Sequence, residues 1–145
     1  MSDPVEAVAR SALETEQLGE ELARRLTAAD VVYLEGDLGA GKTTFVRGIA
    51  RGLGAPERQV ASPTFALLHE YVDAGGAVRL RHLDLYRLSD AARELDVLGI
   101  PDALAGAPVC VEWPKAALRV ALPPTWEVRL EAMPDESRRV AIRRP

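Results

Sequence analysis

Cysteine and histidine are scarce in this 145-residue sequence, which contains Cys110, His69 and His82 and no others of either type. One thiol forms no disulfide within the chain and builds no multi-cysteine metal site. No third ligand accompanies the two histidines at a metal-binding spacing. We therefore expect Cys110 to be a small core residue within a strand, and both histidines to be strand side chains with solvent or backbone partners.

The sequence also lacks a basic excess and a long apolar run. Lysine and arginine number 18 against 22 acidic residues, and the net charge of −4 argues against a protein that coats nucleic acid by bulk electrostatics. No apolar segment approaches the roughly 20 residues of a membrane span, and the first residues carry no signal-peptide core. These absences predict a cytoplasmic protein, and the length predicts a single domain, residues 1–145.

The apolar residues recur with periods that predict alternating helices and strands. Helices are expected at 13–30, 42–54 and 89–99, the first of them capped by Ser11 or Thr15. Strands are expected at 31–36, 65–86 (a hairpin around Gly75-Gly76), 107–114, 125–133 and 137–145. Together these elements predict an α/β fold, a P-loop NTPase-like mixed sheet flanked by helices, with a β-hairpin and a C-terminal strand pair.

Glycines crowd around Lys42 in the stretch YLEGDLGAGKTTFVRGIARGLG, residues 33–54. Gly36, Gly41, Lys42 and Thr43 satisfy G-x-x-x-x-G-K-[ST] between a predicted strand and a predicted helix. Glycine allows successive backbone amides to turn towards an anion, and the helix dipole and Lys42 add positive charge at the same place. Thr43 is placed to offer its hydroxyl to a magnesium ion. The motif therefore predicts a loop that binds ATP or ADP with Mg²⁺.

Nucleotide hydrolysis also needs an acid for the metal and a group that orients water. Asp84 ends a segment of alternating residues, which predicts a half-exposed strand. Glu112 ends an apolar segment, which makes its strand the better candidate to lie parallel to the strand before the P-loop, with the carboxylate at the ligand crevice. Both acids remain candidates on spacing alone, and a solvated strand end is the alternative for each.

Five segments occur in a specific order: LEGDLGAGKTTFVRGIARGLG, SPTFALLHEY, HLDLYRL, ELDVLGI and VEWP. In this order and spacing they resemble the TsaE (YjeE) family, the bacterial ATPase required for the threonylcarbamoyladenosine modification of tRNA, at position 37 of ANN-decoding tRNAs. The resemblance covers about two thirds of the chain, and the C-terminal third matches as a pattern of strands. It implies an ATPase that is weak alone and depends on the transferase subunit TsaD and its companion TsaB, which carry the chemistry on adenosine.

The resemblance also implies roles for individual residues. Magnesium would be held by Thr43 and Glu112, with Asp84 as a second, Walker-B-like acid. Thr64 would sense the γ-phosphate, and these two acids, Thr64 and Lys42 form the expected catalytic set. Contacts to the nucleotide are expected from the loop residues Gly36, Asp37, Leu38, Gly39, Ala40, Gly41, Lys42, Thr43 and Thr44, from Trp113 beside the pocket, and from Ser11, Lys115 and Arg139.

Other functions stay open on the residues alone. A small-molecule P-loop kinase needs an acceptor site and normally a lid, for which 145 residues leave little room. A GTPase needs an N-K-x-D motif, which the sequence lacks. A nucleotide-dependent binding module without intrinsic hydrolysis is the remaining alternative. Direct tRNA contact also stays open, because a basic patch is formed at the C-terminus by Arg138, Arg139, Arg143 and Arg144; no DNA partner is expected.

Overall fold

The computed structural model of the chain describes residues 5–37, 39–62, 65–85, 104–114 and 118–145. These residues contain eight strands and three helices. In chain order they are β1 (Val5–Ala9), α1 (Ala12–Ala23), β2 (Val31–Glu35), α2 (Lys42–Gly52), β3 (Glu57–Ser62), β4 (Phe65–Val72), β5 (Val78–Asp84), β6 (Val109–Glu112), α3 (Leu118–Ala121), β7 (Trp126–Ala132) and β8 (Arg138–Arg143).

All eight strands belong to one mixed sheet with the order β1-β8-β7-β2-β6-β5-β4-β3. The central neighbours β7, β2, β6 and β5 pair in parallel, whereas the pairs at both edges are antiparallel. The predicted mixed α/β sheet is therefore confirmed. So are the β4–β5 hairpin and the C-terminal strand pair, β7 and β8.

The core lies on both faces of the sheet, and β2 supplies side chains to each. Successive strand residues point to opposite faces. Val32 and Leu34 accordingly pack with residues of α1 and α2 such as Phe45, while Val31 and Tyr33 pack in the opposite cluster. Burial on both faces explains why this strand reads as a continuous apolar run, as is typical of parallel strands in α/β proteins.

Helices α1 and α2 cross at very short range because glycine occurs where they touch. The first begins after Ser11, one of the two predicted caps, whose hydroxyl accepts a hydrogen bond of 3.1 Å from the Glu14 amide, and it ends at Ala23 rather than at residue 30. A Cβ on Gly48 of α2 would lie 2.0 Å from the Glu16 carbonyl oxygen of α1, and a Cβ on Gly19 would lie 2.3 Å from the Phe45 carbonyl oxygen. Backbone therefore packs directly on backbone at this crossing.

Three elements are found where the sequence pattern predicted none. They are the edge strands β1 and β3 and the four-residue helix α3. The two strands form the two edges of the sheet, and β3 is largely polar in sequence, as edge strands often are. The predicted helix at 89–99 lies outside the described residues. Among the described residues, none of the helices has the length and apolar character needed to cross a membrane.

Candidate nucleotide site

The segment between β2 and α2, residues 36–41, is the glycine-rich loop of the site. Its glycines adopt left-handed backbone angles, with φ of 151° at Gly36, 80° at Gly39 and 101° at Gly41. Gly36 also approaches the neighbouring strand closely, because a Cβ there would lie 2.3 Å from the Leu130 carbonyl oxygen. All three positions favour glycine for their backbone angles, and Gly36 also requires it for steric reasons. The strand–loop–helix arrangement that the motif predicts is present. Leu38 lies outside the described residues.

Lys42 is the first residue of α2, yet it is only 5% exposed. Its ammonium group donates a hydrogen bond to the Gly36 carbonyl oxygen and lies 3.5 Å from the centre of the Trp113 ring. Burial lowers the pKa of Lys42, and the carboxylates of Glu112, Asp84 and Asp37 act in the opposite direction. The Lys42 ammonium group therefore lies among the carboxylates of Glu112, Asp84 and Asp37, at the C-terminal ends of the central strands.

The two candidate acids occupy equivalent ends of neighbouring parallel strands. Glu112, the last residue of β6, is in register with Leu34 of β2 on one side and with Asp84, the last residue of β5, on the other. The predicted parallel pairing of the Glu112 strand with β2 is confirmed. Asp84 lies one strand further from the loop. Its strand is less exposed than expected, because Arg79 is the one exposed residue of β5 and the adjacent His82 and Leu83 are both buried. The parallel pairing thus brings both carboxylates to the C-terminal ends of the strands, where α/β proteins bind ligands.

The polar side chains at the C-terminal ends of these strands and at the start of α2 are of the kind that binds magnesium. Thr43 lies exposed on the first turn of α2 with a hydroxyl oxygen, and Glu112 and Asp84 add carboxylate oxygens, the donor type that Mg²⁺ prefers. Among the described residues no cluster of three or more His, Cys, Asp or Glu side chains forms a metal cage. This donor set fits an ion that takes one or two protein carboxylates and completes its coordination with phosphate oxygens and water.

A pocket of about 500 Å³ opens beside the glycine-rich loop. Trp113 forms part of its wall and follows Glu112 with a left-handed backbone, φ 58°, which turns the chain sharply at the end of β6. Its lining contains both charged and apolar side chains: Leu34, Glu35, Gly36, Asp37, Trp113, Pro114, Arg129, Leu130 and Glu131. Trp113 lies where a pocket residue is expected, and its contact with a nucleotide stays a prediction.

The family model described as "Threonylcarbamoyl adenosine biosynthesis protein TsaE" matches residues 9–140. The chain belongs to the TsaE family. The TsaE protein of Bacillus subtilis is 46% identical over 101 residues, which cover 69% of this chain and 60% of that protein. The TsaE protein of Treponema pallidum is 38% identical over 136 residues, covering 93% of this chain and 97% of that protein.

A solved structure shares the fold of almost the whole chain. The crystal structure of YdiB from Bacillus subtilis superposes on this TsaE-family chain with a TM-score of 0.71 and 30% sequence identity. The similarity covers 98% of this chain and 86% of the YdiB chain. It therefore extends over the sheet edges and the C-terminal strands, beyond the segments on which the sequence resemblance depended.

A smaller pocket, of about 170 Å³, lies on the α1 side of the loop of this TsaE-family protein. It is lined by Ser11, Ala12, Thr15, Gly39, Gly41, Thr44, Glu136 and Arg138. Ser11 was expected near the nucleotide, and the structure places it beside the loop. Its hydroxyl already caps α1, so any further hydrogen bond must share that oxygen.

The structure places Arg138, rather than Arg139, at the loop. The Arg138 guanidinium donates a hydrogen bond of 3.2 Å to the Gly39 carbonyl oxygen and lines the smaller pocket. Arg139 instead lies 4.0 Å from the Glu131 carboxylate on the neighbouring strand. Adjacent strand residues point to opposite faces, so a one-residue choice decides which arginine reaches the loop. The sequence pattern predicted this strand, but not which of its side chains point towards the glycine-rich loop.

Other expected site residues fall elsewhere. Thr64 and Lys115 lie outside the described residues, so their predicted roles stay predictions. Cys110 is fully buried in β6, as expected, and burial raises the pKa of its thiol. The expectation of solvent or backbone partners for His82 is wrong, because this buried side chain lies 3.0 Å from the Glu112 carboxylate. A usable signal was the spacing of His82 and Asp84, which places both side chains on one face of β5.

Proposed function

We propose that this TsaE-family chain binds ATP with magnesium and hydrolyses it. Support for binding comes from the glycine-rich loop, whose left-handed glycines lead directly into the N-terminus of α2. Backbone amides in such a loop, together with the helix dipole, attract phosphate groups. Lys42 supplies the full positive charge for the outer phosphates, and the smaller pocket, between α1 and the loop, is lined by Ser11 and Thr44 among others.

Support for hydrolysis comes from the acids. When bound, magnesium would neutralise charge on the outer phosphates, and Thr43 and Glu112 are the residues proposed to hold it. Asp84, one strand further along, is proposed to orient the attacking water or the outer shell of the metal. The single observation that carries the proposal is the register across β2, β6 and β5, which aligns Leu34, Glu112 and Asp84 at the end of the loop strand.

We further propose that ATP turnover supports the threonylcarbamoyladenosine modification of tRNA, in the cytoplasm. The family match over residues 9–140 supports this, as do relatives named tRNA threonylcarbamoyladenosine biosynthesis protein TsaE. The partners implied by the family resemblance are TsaD and TsaB. In this proposal the chain drives repeated cycles of transfer by those partners and does not itself act on adenosine.

Phosphate release tests the proposal, measured for the chain alone and together with TsaB, TsaD and tRNA. We expect weak turnover alone and a clear rise with the partners. Glu112→Gln, which keeps the side-chain size but removes the charge, should weaken magnesium-dependent nucleotide binding more than magnesium-free ADP binding. Asp84→Asn should lower turnover more than affinity.

Glu21→Gln is the matched control, because it removes an exposed carboxylate from α1, away from the strand ends. It should leave both binding and turnover at the wild-type level. A silent Glu112→Gln would mean that Glu112 is an ordinary strand end. Nucleotide binding without turnover under all conditions would indicate a binding module, and phosphate transfer to a small acceptor would indicate a kinase.

A further inference from the structure

His82 and Glu112 form a buried pair behind the candidate metal site. His82 is 3% exposed and Glu112 is 4% exposed, and the distance from Nε2 to the Glu112 Oε2 is 3.0 Å. The two residues come from the neighbouring parallel strands β5 and β6. Within the part of the chain that the structure describes, His82 is the one side chain hydrogen-bonded to the Glu112 carboxylate.

The hydrogen bond constrains both partners. A carboxylate oxygen accepts, so the proton of this bond belongs to Nε2 of His82. Glu112 has three rotatable side-chain bonds, and a buried carboxylate without a donor would be costly. The bond to Oε2 fixes the carboxylate in one orientation and leaves Oε1 without a hydrogen-bond donor among the described residues.

Packing alone does not account for a histidine at this position. The other ring nitrogen of His82, Nδ1, is buried and has no hydrogen-bond partner among the described residues. An unsatisfied buried polar atom destabilises the fold, and an apolar ring of similar size would avoid that cost. The feature that an apolar side chain could not reproduce is the hydrogen bond from Nε2 to Glu112.

We propose that His82 is a positioning residue that holds Glu112 ready for the magnesium-bound nucleotide. This inference rests on the proposed function, since it assigns His82 a role through a metal ligand of that site. Residues that orient metal ligands commonly matter for metal affinity nearly as much as the ligands themselves, and their loss typically costs about 10–100-fold. Loss of the His82 hydrogen bond should therefore weaken binding only when magnesium takes part.

Calorimetric titration of ADP, with Mg²⁺ and with a chelator, separates this role from a structural one. His82→Phe keeps a planar ring but removes Nε2, and it should weaken magnesium-dependent ADP binding about tenfold or more. Magnesium-free ADP binding should stay within about twofold of wild type, because the loop and Lys42 are untouched. His69→Phe is the packing control on β4, because its ring centre lies 6.1 Å from that of His82 and it leaves the bond from Nε2 to Glu112 in place. It should lower the magnesium-dependent affinity much less than His82→Phe.

A double-mutant cycle tests whether His82 acts through Glu112. In a Glu112→Gln background, His82→Phe should cause little further loss of magnesium-dependent affinity, because the group that it positions has already been changed. Full additivity of the two losses would overturn the proposal. So would wild-type affinity in His82→Phe, or an equal loss of binding with and without magnesium in the folded variant.

A second pair of variants applies if His82→Phe does not fold. The amide nitrogen of His82→Gln reaches the position of Nε2, whereas that of His82→Asn reaches the position of Nδ1. His82→Gln should therefore retain more magnesium-dependent affinity than His82→Asn, and equal affinities would overturn the proposal. If wild type binds no magnesium nucleotide, the proposed function fails; if Glu112→Gln weakens binding but the His82 variants do not, this inference alone fails.

Discussion

The crossing of α1 and α2 gives a quantitative test of the fold, through the substitution Gly48→Ala. A Cβ at this position would lie 2.0 Å from the Glu16 carbonyl oxygen and 2.8 Å from the Glu16 Cα, whereas ordinary contacts begin near 3.4 Å. The nearest atoms are backbone, so no side-chain rotation relieves the clash. The two helices must separate by about 1.4 Å at this point, which opens the packing around it.

The expected magnitude follows from two opposing effects. Overpacking in a well-packed region typically costs about 1–3 kcal/mol, and a clash with backbone belongs at or beyond the upper end. Alanine offsets about 1 kcal/mol of this through its higher helix propensity. We expect Gly48→Ala to lower the free energy of unfolding by about 2 kcal/mol, measured by urea denaturation, and the melting temperature by about 4–8 °C.

Arg47→Ala is the control for this measurement, because Arg47 is the exposed neighbour on the same helix. Its free energy of unfolding should stay within about 0.5 kcal/mol of wild type. A Gly48→Ala protein as stable as wild type would contradict the close backbone approach. It would mean that the backbones of α1 and α2 are further apart than the distances at Gly48 indicate.

Two further predictions concern the tryptophans and one buried acid. Magnesium-ADP should change the fluorescence of the Trp126→Phe variant, which retains Trp113 at the pocket. It should change that of Trp113→Phe little, because the remaining Trp126, on β7, is buried and contacts the guanidinium groups of Arg25 and Arg144. The reverse result would mean that Trp113 does not line the nucleotide pocket. Burial alone would raise the pKa of Asp30, but hydrogen bonds from the Thr27 amide (2.7 Å) and the Thr125 hydroxyl (2.7 Å) hold it below its usual value. The ionised Asp30 therefore stabilises the folded state fully above about pH 4, the pKa of an unfolded aspartate, and this stabilisation is lost as the pH falls through the lower folded pKa. Urea unfolding should show Asp30→Asn less stable than wild type at pH 7 and closer to it at pH 3, and a difference that does not depend on pH would contradict the assignment.

Local patterns in the sequence were sufficient for much of the fold. The apolar run of β2, the glycine-rich loop and the periodicity of α2 are each encoded within a few residues, so their order could be predicted. The parallel placement of the Glu112 strand could also be inferred, because fully apolar strands are typical of buried parallel sheets. The polar edge strand β3 carried no comparable signal, since an edge strand needs apolar residues on fewer positions.

Side-chain partners across strands were harder to predict. The bond between His82 and Glu112 depends on the pairing of β5 with β6, which are far apart in the sequence. The choice between Arg138 and Arg139 depends on which face of β8 meets the loop, and that in turn depends on the pairing of β8 with β1 and β7. These features follow from three-dimensional register and cannot be read from one segment alone.

Binding of magnesium nucleotide by wild type and Lys42→Ala tests the central claim most directly. Hydrogen bonds to charged groups contribute about 1.5–3 kcal/mol, and each 1.4 kcal/mol corresponds to a factor of ten in affinity. Calorimetry should therefore show saturable binding of ATP or ADP with Mg²⁺ to wild type, and roughly 10–100-fold weaker binding to a folded Lys42→Ala variant. Equal affinity in the two proteins, or no binding of magnesium nucleotide by wild type, would contradict the assignment of the glycine-rich loop as a nucleotide site.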